Sequence, residues 1–348
     1  MIQVVLFFIF YFIAVAYEQQ GFKNRNAMLA IVCCVFAIIA GFRSWLWPDT
    51  GIYIVSFRQA NDLWNYSFSD KPFAYGEKGF YLISVIVKTI TDNDTVYLLA
   101  VSFLSFYFLY KGLKQYSLFP LVGLFAYISR FYIGRNFIQM RAGLAYVILM
   151  LSIKYIYEKD WKRYFFIVFI AWSVHRSAII AIPLYFVCNW IKVKKWHVYL
   201  ALAISFLIGI FGQGIMHNFI EDNATDFDIK TYTEEHGDYR YVQSIGLSNP
   251  MIYFQSILLL LYTILEKRLK TLDKYYYIIR TAYLYSTMIL ICLCSYKVLS
   301  ARTSSIYATL EFAIIPAMIY IFNKRNRYFA YFVTGVALTG IFYMYLNR

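Results

Sequence analysis

The chain has 348 residues, of which 61% are hydrophobic and only 15% are charged. A soluble domain of this length could not cover so much apolar surface, because a globular fold needs a solvated exterior, so the composition predicts a polytopic membrane protein. The formal net charge is +14. Because the basic residues fall in short loops between apolar segments, this charge is typical of membrane topology and argues against nucleic-acid binding.

Six clusters of lysine and arginine interrupt the apolar segments and mark the side predicted to be cytoplasmic. Any two clusters must be separated by an even number of crossings. The clusters are Lys23/Arg25, Lys111/Lys114, Lys154 to Arg163, Lys192 to Lys195, Lys267 to Lys274 and Lys324 to Arg327. The predicted crossings are 1–17, 27–42, 95–110, 118–133, 137–157, 164–174, 177–191, 196–217, 250–266, 276–296, 303–322 and 328–346. The pattern therefore predicts an all-α protein with about twelve transmembrane helices and both termini on the outer side.

Two long segments are predicted to lie on the outer side. The apolar stretch 78–91 is shorter than the ~20 residues needed to span a bilayer, so residues 43–94 are interpreted as an outer loop followed by an interfacial or re-entrant helix. Residues 218–249 form a second, acidic loop. No internal repeat or linker divides the chain, which predicts a single transmembrane domain over residues 1–348.

Arginines at helix ends opposite the lysine clusters are not explained by topology. They are Arg43, Arg130, Arg135, Arg141, Arg176 and Arg302. Arginine on the translocated side opposes the positive-inside bias, and near the centre of the bilayer it costs ~2.5–3.5 kcal/mol. Its planar fork binds phosphate bidentately, so the cluster predicts a membrane-embedded pyrophosphate site. The alternative is that individual arginines reach lipid headgroups or pair with Asp49, Glu77 or Glu311.

Three other polar features of the sequence could take part in catalysis or metal binding. His175 titrates near neutral pH and can accept a proton from a sugar hydroxyl, although a structural histidine at a helix end is equally consistent with the sequence. Asp92, Asn93 and Asp94 spell a pattern that soluble sugar transferases use for a metal-bound nucleotide sugar. Because this turn is predicted on the outer side, where nucleotide sugars are absent, no metal site is predicted. Glu311 lies within an apolar segment, which indicates either function or a structural pair with an arginine.

At these residues the sequence resembles the Wzy-type polysaccharide polymerases, in particular the EpsG-like branch. The resemblance lies in Phe42-Arg43 followed by Asp49 and Tyr53, in Glu77 before Gly79-Phe80, in Arg135 and Arg141 with Leu144-Ala145, in His175 before a small hydroxyl residue, and in Arg302 before Tyr307. One departure from the pattern precedes Asp49, where a glycine is expected.

The resemblance implies a GT-C-like membrane glycosyltransferase in the inner membrane of a bacterium, with its active site facing the periplasm. Such an enzyme joins oligosaccharide repeat units carried on undecaprenyl pyrophosphate into O-antigen, lipopolysaccharide or exopolysaccharide chains. Membrane lipids and a possible chain-length regulator protein are the implied partners, with no cofactor, metal or nucleic acid. The implied pyrophosphate ligands are Arg135, Arg141, Arg302, Arg43 and Arg176. The implied general base is His175, or otherwise Glu77 or Asp49.

Two other classes remain open from the residues. A lipid-linked oligosaccharide flippase would also have about twelve spans, but it is expected to carry charges on both leaflets and to show two similar halves. A membrane acyltransferase would also use a histidine, but within a span and without a set of outward arginines. The residues favour the polymerase.

The topology predicts that reporter enzymes fused within residues 221–249 report an outer location, because an odd number of crossings separates this loop from the lysine clusters on either side. The measurement is a paired set of fusions, one active only outside and one active only in the cytoplasm. Fusions at Lys192 to Lys195 serve as the cytoplasmic control, and a cytoplasmic signal from residues 221–249 would contradict the whole topology.

Overall fold

The computed structural model describes residues 2–21, 24–70, 73, 75–214, 218 and 246–347. Within these residues the secondary structure is helical throughout, with no strand. The predicted acidic loop 218–249 lies outside the described residues, apart from residues 218 and 246–249. The all-α prediction is therefore confirmed for the part of the chain that is described.

The chain divides into two compact units, of which the first comprises Met1–Ala181 and Glu311–Arg348. Its helices, in chain order, are α1 (Ile2–Gln19), α2 (Arg25–Gly41), α3 (Thr50–Arg58), α4 (Lys78–Ile90), α5 (Asp94–Tyr116), α6 (Pro120–Tyr127), a π-helix (Ile128–Ile138), α7 (Met140–Met150), α8 (Ile153–Tyr157), α9 (Trp161–Val174) and a 3₁₀ helix (Arg176–Ala181).

The second unit is Ile182–Leu310. Its described helices are α10 (Ile182–Trp190), α11 (Lys195–Phe211), a 3₁₀ turn (Gly246–Ser248), α12 (Pro250–Ile264), α13 (Glu266–Leu272), α14 (Tyr276–Cys292) and α15 (Lys297–Ala308). The first unit is then completed by α16 (Glu311–Tyr320) and α17 (Lys324–Leu346).

Four described helices are long and apolar enough to cross a membrane. They are Ile2–Gln19, Asp94–Tyr116, Met140–Tyr157 and Arg325–Leu346. The described part of the chain is therefore all-helical and has spans typical of a membrane protein. Further apolar helices, such as α2 and α11, are shorter, so the count of about twelve crossings and the GT-C-like fold stay predictions. The helix α4 has 13 residues, and its interfacial position likewise stays a prediction.

The core of the first unit lies around α7. All of α7 except Arg141 is buried, and the helix packs against α5, α9 and the π-helix. Around this centre, α2 packs along α5, and α16 packs on α6. In the second unit α14 is central, since it contacts α10, α11, α12 and α15. Each unit is thus built around one helix that is largely buried.

The π-helix changes a helix boundary that the sequence predicts. The segments 118–133 and 137–157 predict a break near Gly134, but the helix continues to Ile138 and breaks at Gln139. The N–H of Gln139 donates to the carbonyl of Gly134 at 2.8 Å, which closes an i→i+5 ring. Arg135 therefore lies in the last turn of the π-helix and not at the start of the following span.

A buried ion pair fastens this π-helix to the C-terminal part of the unit. Arg130 donates from Nη1 to Oε1 of Glu311, and their side chains are 6% and 2% exposed. Glu311 is the first residue of α16. The sequence left open whether Glu311 was functional or paired with an arginine, and the structure supplies the arginine.

We expect Glu311→Ala to destabilise the protein by ~3–5 kcal/mol, because it leaves the guanidinium of Arg130 buried without its carboxylate. The measurement is thermal unfolding of the purified chain in detergent. The double variant Arg130→Met/Glu311→Leu is expected to recover much of the loss, since it removes both charges. Asp94→Ala, which breaks the exposed pair with Arg58, is the control and should leave the midpoint unchanged. Equal losses in Glu311→Ala and Asp94→Ala would contradict the argument.

Candidate functional site

Three helix ends meet in the first unit, and each carries one ionisable side chain. Glu77 directly precedes α4, Arg141 is the second residue of α7, and His175 directly follows α9. Both α4 and α7 pack against α9, which brings these ends together. Arg141 stands at the positive end of the α7 dipole, where a cation is disfavoured and a carboxylate is favoured. A negative partner at this position is therefore expected on electrostatic grounds.

Glu77 supplies that negative charge and is bound from two sides. Its Oε2 accepts a hydrogen bond from Nη1 of Arg141, and its Oε1 lies 3.1 Å from Nδ1 of His175. The backbone N–H of Arg176 also donates to Oε1, at 3.4 Å. Only 5% of the Glu77 side chain is exposed. Burial alone would raise the pKa of Glu77, but His175 and Arg141 outweigh it and lower the pKa to about 2.

His175 is the group best suited to accept a proton. Because an ionised carboxylate can only accept hydrogen bonds, Nδ1 of His175 carries the hydrogen that faces Glu77, and Nε2 keeps its lone pair. The side chain is 19% exposed. Burial lowers the pKa of His175 below its usual 6.5, with Glu77 opposing this effect and the charges of Arg141 and Arg135 adding to it. The imidazole is therefore neutral at pH 7 and available as a base.

Tyrosine rings surround this charged group. The guanidinium carbon of Arg141 lies 4.6 Å from the ring centre of Tyr75 and 5.7 Å from that of Tyr53. On the other side, the ring of Tyr146 lies 6.3 Å from that of His175, and its hydroxyl is 2.8 Å from Oγ of Ser177. The aromatic faces stabilise the cations and keep the electrostatic interactions away from bulk water.

Two further arginines predicted from the sequence adjoin this group. Arg135 is buried, with its guanidinium carbon 4.6 Å from the ring centre of Tyr146, and its Nη1 donates to Oε1 of Gln139 at 2.7 Å. This bond places the side chains of Arg135 and Gln139 next to each other. Arg176, in contrast, is exposed beside His175. The first unit therefore combines a protected base with one buried and one accessible arginine.

Two glycines permit the close approach that builds the site. A Cβ on Gly79 would collide with the side chain and backbone of Ser173, so α4 can lie against α9 only with glycine there. A Cβ on Gly76 would lie 2.6 Å from Nη2 of Arg176. Gly79 follows Glu77 by two residues, so the close approach of α4 to α9 that it permits lies beside the Glu77–His175 contact.

Arg43 and Asp49 occupy the neighbouring loop. Arg43 is buried and donates to the side chain of Thr50 and to the backbone carbonyls of Ala40 and Asn136. These contacts fasten the loop to the π-helix. Asp49 is half-buried and begins α3 with a left-handed φ of 61°, a conformation that aspartate adopts more readily than most residues. The proposed chemical roles of Arg43 and Asp49 stay predictions.

Arg302 belongs to the second unit, where it lies in α15 and is partly buried. Its predicted place beside the other arginines stays a prediction. The Asp92–Asp94 turn has structural contacts of its own. Asn93 caps α5 by accepting from the backbone of Thr95 and Val96, and Asp94 pairs with Arg58. Among the described residues, no group of three histidine, cysteine or acidic side chains is arranged to hold a metal ion.

The sequence did not predict which tyrosines belong to the site. Tyr75 and Tyr146 contact Arg141 and Arg135, yet nothing distinguishes them along a chain with 35 tyrosines. Tyr53 was named through the resemblance alone. The sequence also left open which arginine meets Glu77, because such pairing depends on the packing of α4 and α7 against α9.

An all-helical membrane protein with a buried histidine–carboxylate–arginine group is the class that the fold and the site define. A sequence model described as the EpsG family matches residues 26–348, and the chain therefore belongs to the EpsG family. This confirms the resemblance read from the sequence, and it indicates an exopolysaccharide-related polymerase with a glycosyltransferase-like role. No curated protein and no solved structure matches the chain significantly.

We expect the pKa of His175 to lie below 6.5 in the folded protein and to fall further in Glu77→Gln. The carboxylate stabilises the protonated imidazole, so removing its charge makes protonation less favourable. The measurement is an NMR titration of the full chain with labelled histidine, in which His175→Gln identifies the signal among the four histidines. Asp92→Asn, which removes an exposed charge paired with Lys88, is the control. A rise in Glu77→Gln would contradict the argument.

Proposed function

We propose that this protein polymerises lipid-linked oligosaccharide repeat units into an exopolysaccharide or O-antigen chain. In this proposal each unit is carried on undecaprenyl pyrophosphate, and the transfer takes place at the periplasmic face of the inner membrane. The observation that carries the proposal is the buried group of Glu77, Arg141 and His175, in a chain of the EpsG family. This group supplies a general base, His175, from the side chains of the protein itself.

The proposed step is a displacement at the anomeric carbon of the donor sugar. A hydroxyl oxygen of the acceptor sugar forms the new bond to this carbon, and the bond from the carbon to the pyrophosphate oxygen breaks. The bonding electrons leave with the pyrophosphate. The hydroxyl proton passes to Nε2 of His175, for which a neutral imidazole with Nδ1–H bound to Glu77 is the required form. General bases of this kind contribute about 10²–10⁴-fold in rate.

The leaving pyrophosphate gains negative charge, and cations are needed where that charge develops. Arg135 and Arg176 are the best candidates in the first unit, because both adjoin His175 and one of them is exposed. Arg302 remains a proposed third ligand. Arg141 is already paired with Glu77. In this proposal Arg141 therefore keeps Glu77 ionised and does not bind the pyrophosphate.

The hydrogen bonds of Arg43 give it a structural role in the proposal. Its three described oxygen acceptors lie at the start of α3, at the end of α2 and in the π-helix. Arg43 then supports the wall of the site and does not touch the substrate. Asp49 stays an alternative base, to be tested only if His175 fails.

A flippase remains the second candidate, because a cationic pocket for a lipid pyrophosphate would serve either activity. The two differ in the need for a base. A flippase forms no glycosidic bond, so it needs no group that takes a proton from an attacking sugar hydroxyl.

We expect His175→Ala and Arg135→Ala to stop long polysaccharide while single lipid-linked repeats accumulate. Each change should lower the single-turnover rate of the purified chain on synthetic lipid-linked repeats by about 10²–10³-fold or more, because it removes the base or a cation at the leaving group. Arg58→Ala, which alters an exposed arginine with a carboxylate partner, is the matched control and should retain normal chains.

Two results would overturn the proposal. One is accumulation of the lipid-linked repeat on the cytoplasmic leaflet in these variants, which would favour the flippase. The other is an unchanged rate in His175→Ala across pH 6 to 8, which would remove the histidine as the base.

A further inference from the structure

A cleft of about 720 Å³ opens in the second unit at the ends of helices that carry lysine clusters. Its walls are the end of α10, the segment 191–194, the first turns of α11 and α14, and Glu266 at the start of α13. A volume of this size falls within the ~300–1,000 Å³ typical of small-molecule sites. All of its lining residues belong to Ile182–Leu310, so it is separate from the group around His175.

The cleft carries a positive charge that its own residues do not neutralise. Lys192, Lys194 and Lys195 line it, and within the described part of the chain no carboxylate lies at ion-pair distance from any of the three. Glu266 is the one acidic residue among the lining residues, but it is already bound. Its Oε2 accepts from Nη1 of Arg280 at 2.6 Å, and its Oε1 accepts from the hydroxyl of Tyr277 at 3.3 Å.

A fully buried arginine holds this arrangement in place. Arg280 is 0% exposed, and while Nη1 binds Glu266, Nη2 donates to the backbone carbonyl of Val193 at 2.5 Å. One side chain therefore ties the lysine segment to α13 and α14. The backbone of the lysine segment is thus fixed at Val193 by a buried hydrogen-bonded group, and Lys195 donates from Nζ to the carbonyl of Ile264 at 3.4 Å.

The rest of the lining is largely apolar and aromatic. Cys188, Ile191 and Ile278 line the cleft together with Trp196 and Tyr199. Tryptophan and tyrosine at the end of an apolar helix are typical of the membrane–water interface. A ligand that contacts both the lysines and the apolar residues of the lining needs an anionic head and an apolar tail.

We propose that this cleft binds the phosphate headgroup of an anionic phospholipid. Basic pockets between membrane helices on the lysine-rich side suit such headgroups, and each nearby lysine strengthens binding to anionic lipid about fivefold. The three lysines would contact the phosphate, and Ile191 and Ile278 the first part of the acyl chains. The site is independent of the polymerase reaction, and it would fasten the second unit to the leaflet that the lysines are predicted to face.

The test uses the full-length chain reconstituted in phosphatidylcholine vesicles that contain increasing fractions of brominated phosphatidylglycerol. Bromine quenches tryptophan at short range, and subtraction of the Trp196→Phe signal isolates Trp196 from the other six tryptophans. We expect half-quenching of Trp196 at a fraction several-fold lower than with brominated phosphatidylcholine. Lys192→Gln/Lys194→Gln/Lys195→Gln should raise that fraction by at least fivefold.

The matched control is Lys267→Gln/Lys270→Gln/Lys274→Gln, which removes three exposed lysines of the same unit that do not line the cleft. This control should leave the half-quenching fraction unchanged. Thr281→Trp, which fills the cleft without changing charge, should also raise the half-quenching fraction of Trp196. Its signal is the difference between Thr281→Trp and Thr281→Trp/Trp196→Phe, and it tests the site even where the lysine variant fails to fold.

Three outcomes would overturn the proposal. Equal shifts in the two triple variants would reduce the effect to diffuse surface charge. Equal quenching by brominated phosphatidylcholine would remove the preference for an anion. Displacement of phosphatidylglycerol by millimolar inorganic phosphate would assign the site to a soluble phosphate and not to a lipid.

Discussion

A carboxylate buried among helix ends is the constraint on which the first unit depends. Glu77 is stable as an ion only because Arg141 and His175 bind its two oxygens. Arg141 in turn is tolerated at the positive end of α7 because Glu77 faces it. The three helix ends must therefore pack together or not at all. The same requirement that fixes the fold also fixes the imidazole with one nitrogen protonated and the other available.

The arginines that the sequence groups together have different tasks in the structure. Arg130 fastens the π-helix to Glu311, and Arg43 fastens a loop through neutral acceptors. Arg280, which lies inside the predicted crossing 276–296 and outside the six basic clusters, is the fully buried support of a lysine cleft. The charge of an arginine does not show whether its role is structural or is to bind a ligand. The hydrogen-bond acceptors around each guanidinium distinguish the two roles.

Much of this architecture could be predicted from the sequence, because apolar length and charge position act locally. The all-helical class follows from such signals, whereas for Glu311 the sequence left open both a function and a pair with an arginine. The partner of Glu77 does not, since Arg141 is 64 residues away in the chain and only helix packing brings it near. The helix break at Gln139 was missed for another reason. Glycine is typical of turns, so Gly134 predicts a helix end, but the i→i+5 hydrogen bonds of the π-helix continue through it.

The long π-helix also limits how this chain can vary in length. Residues five apart point about 140° apart on an ordinary α-helix, but they close the same hydrogen-bonded ring in a π-helix. Arg130 and Arg135 are five apart, and they meet Glu311 and Tyr146 respectively. Insertion of a single residue between them would leave them six apart, which is about 120° apart on an α-helix, and would turn one arginine away from its partner. An insertion that would be harmless in a surface loop would here uncouple the support of the unit from its candidate site.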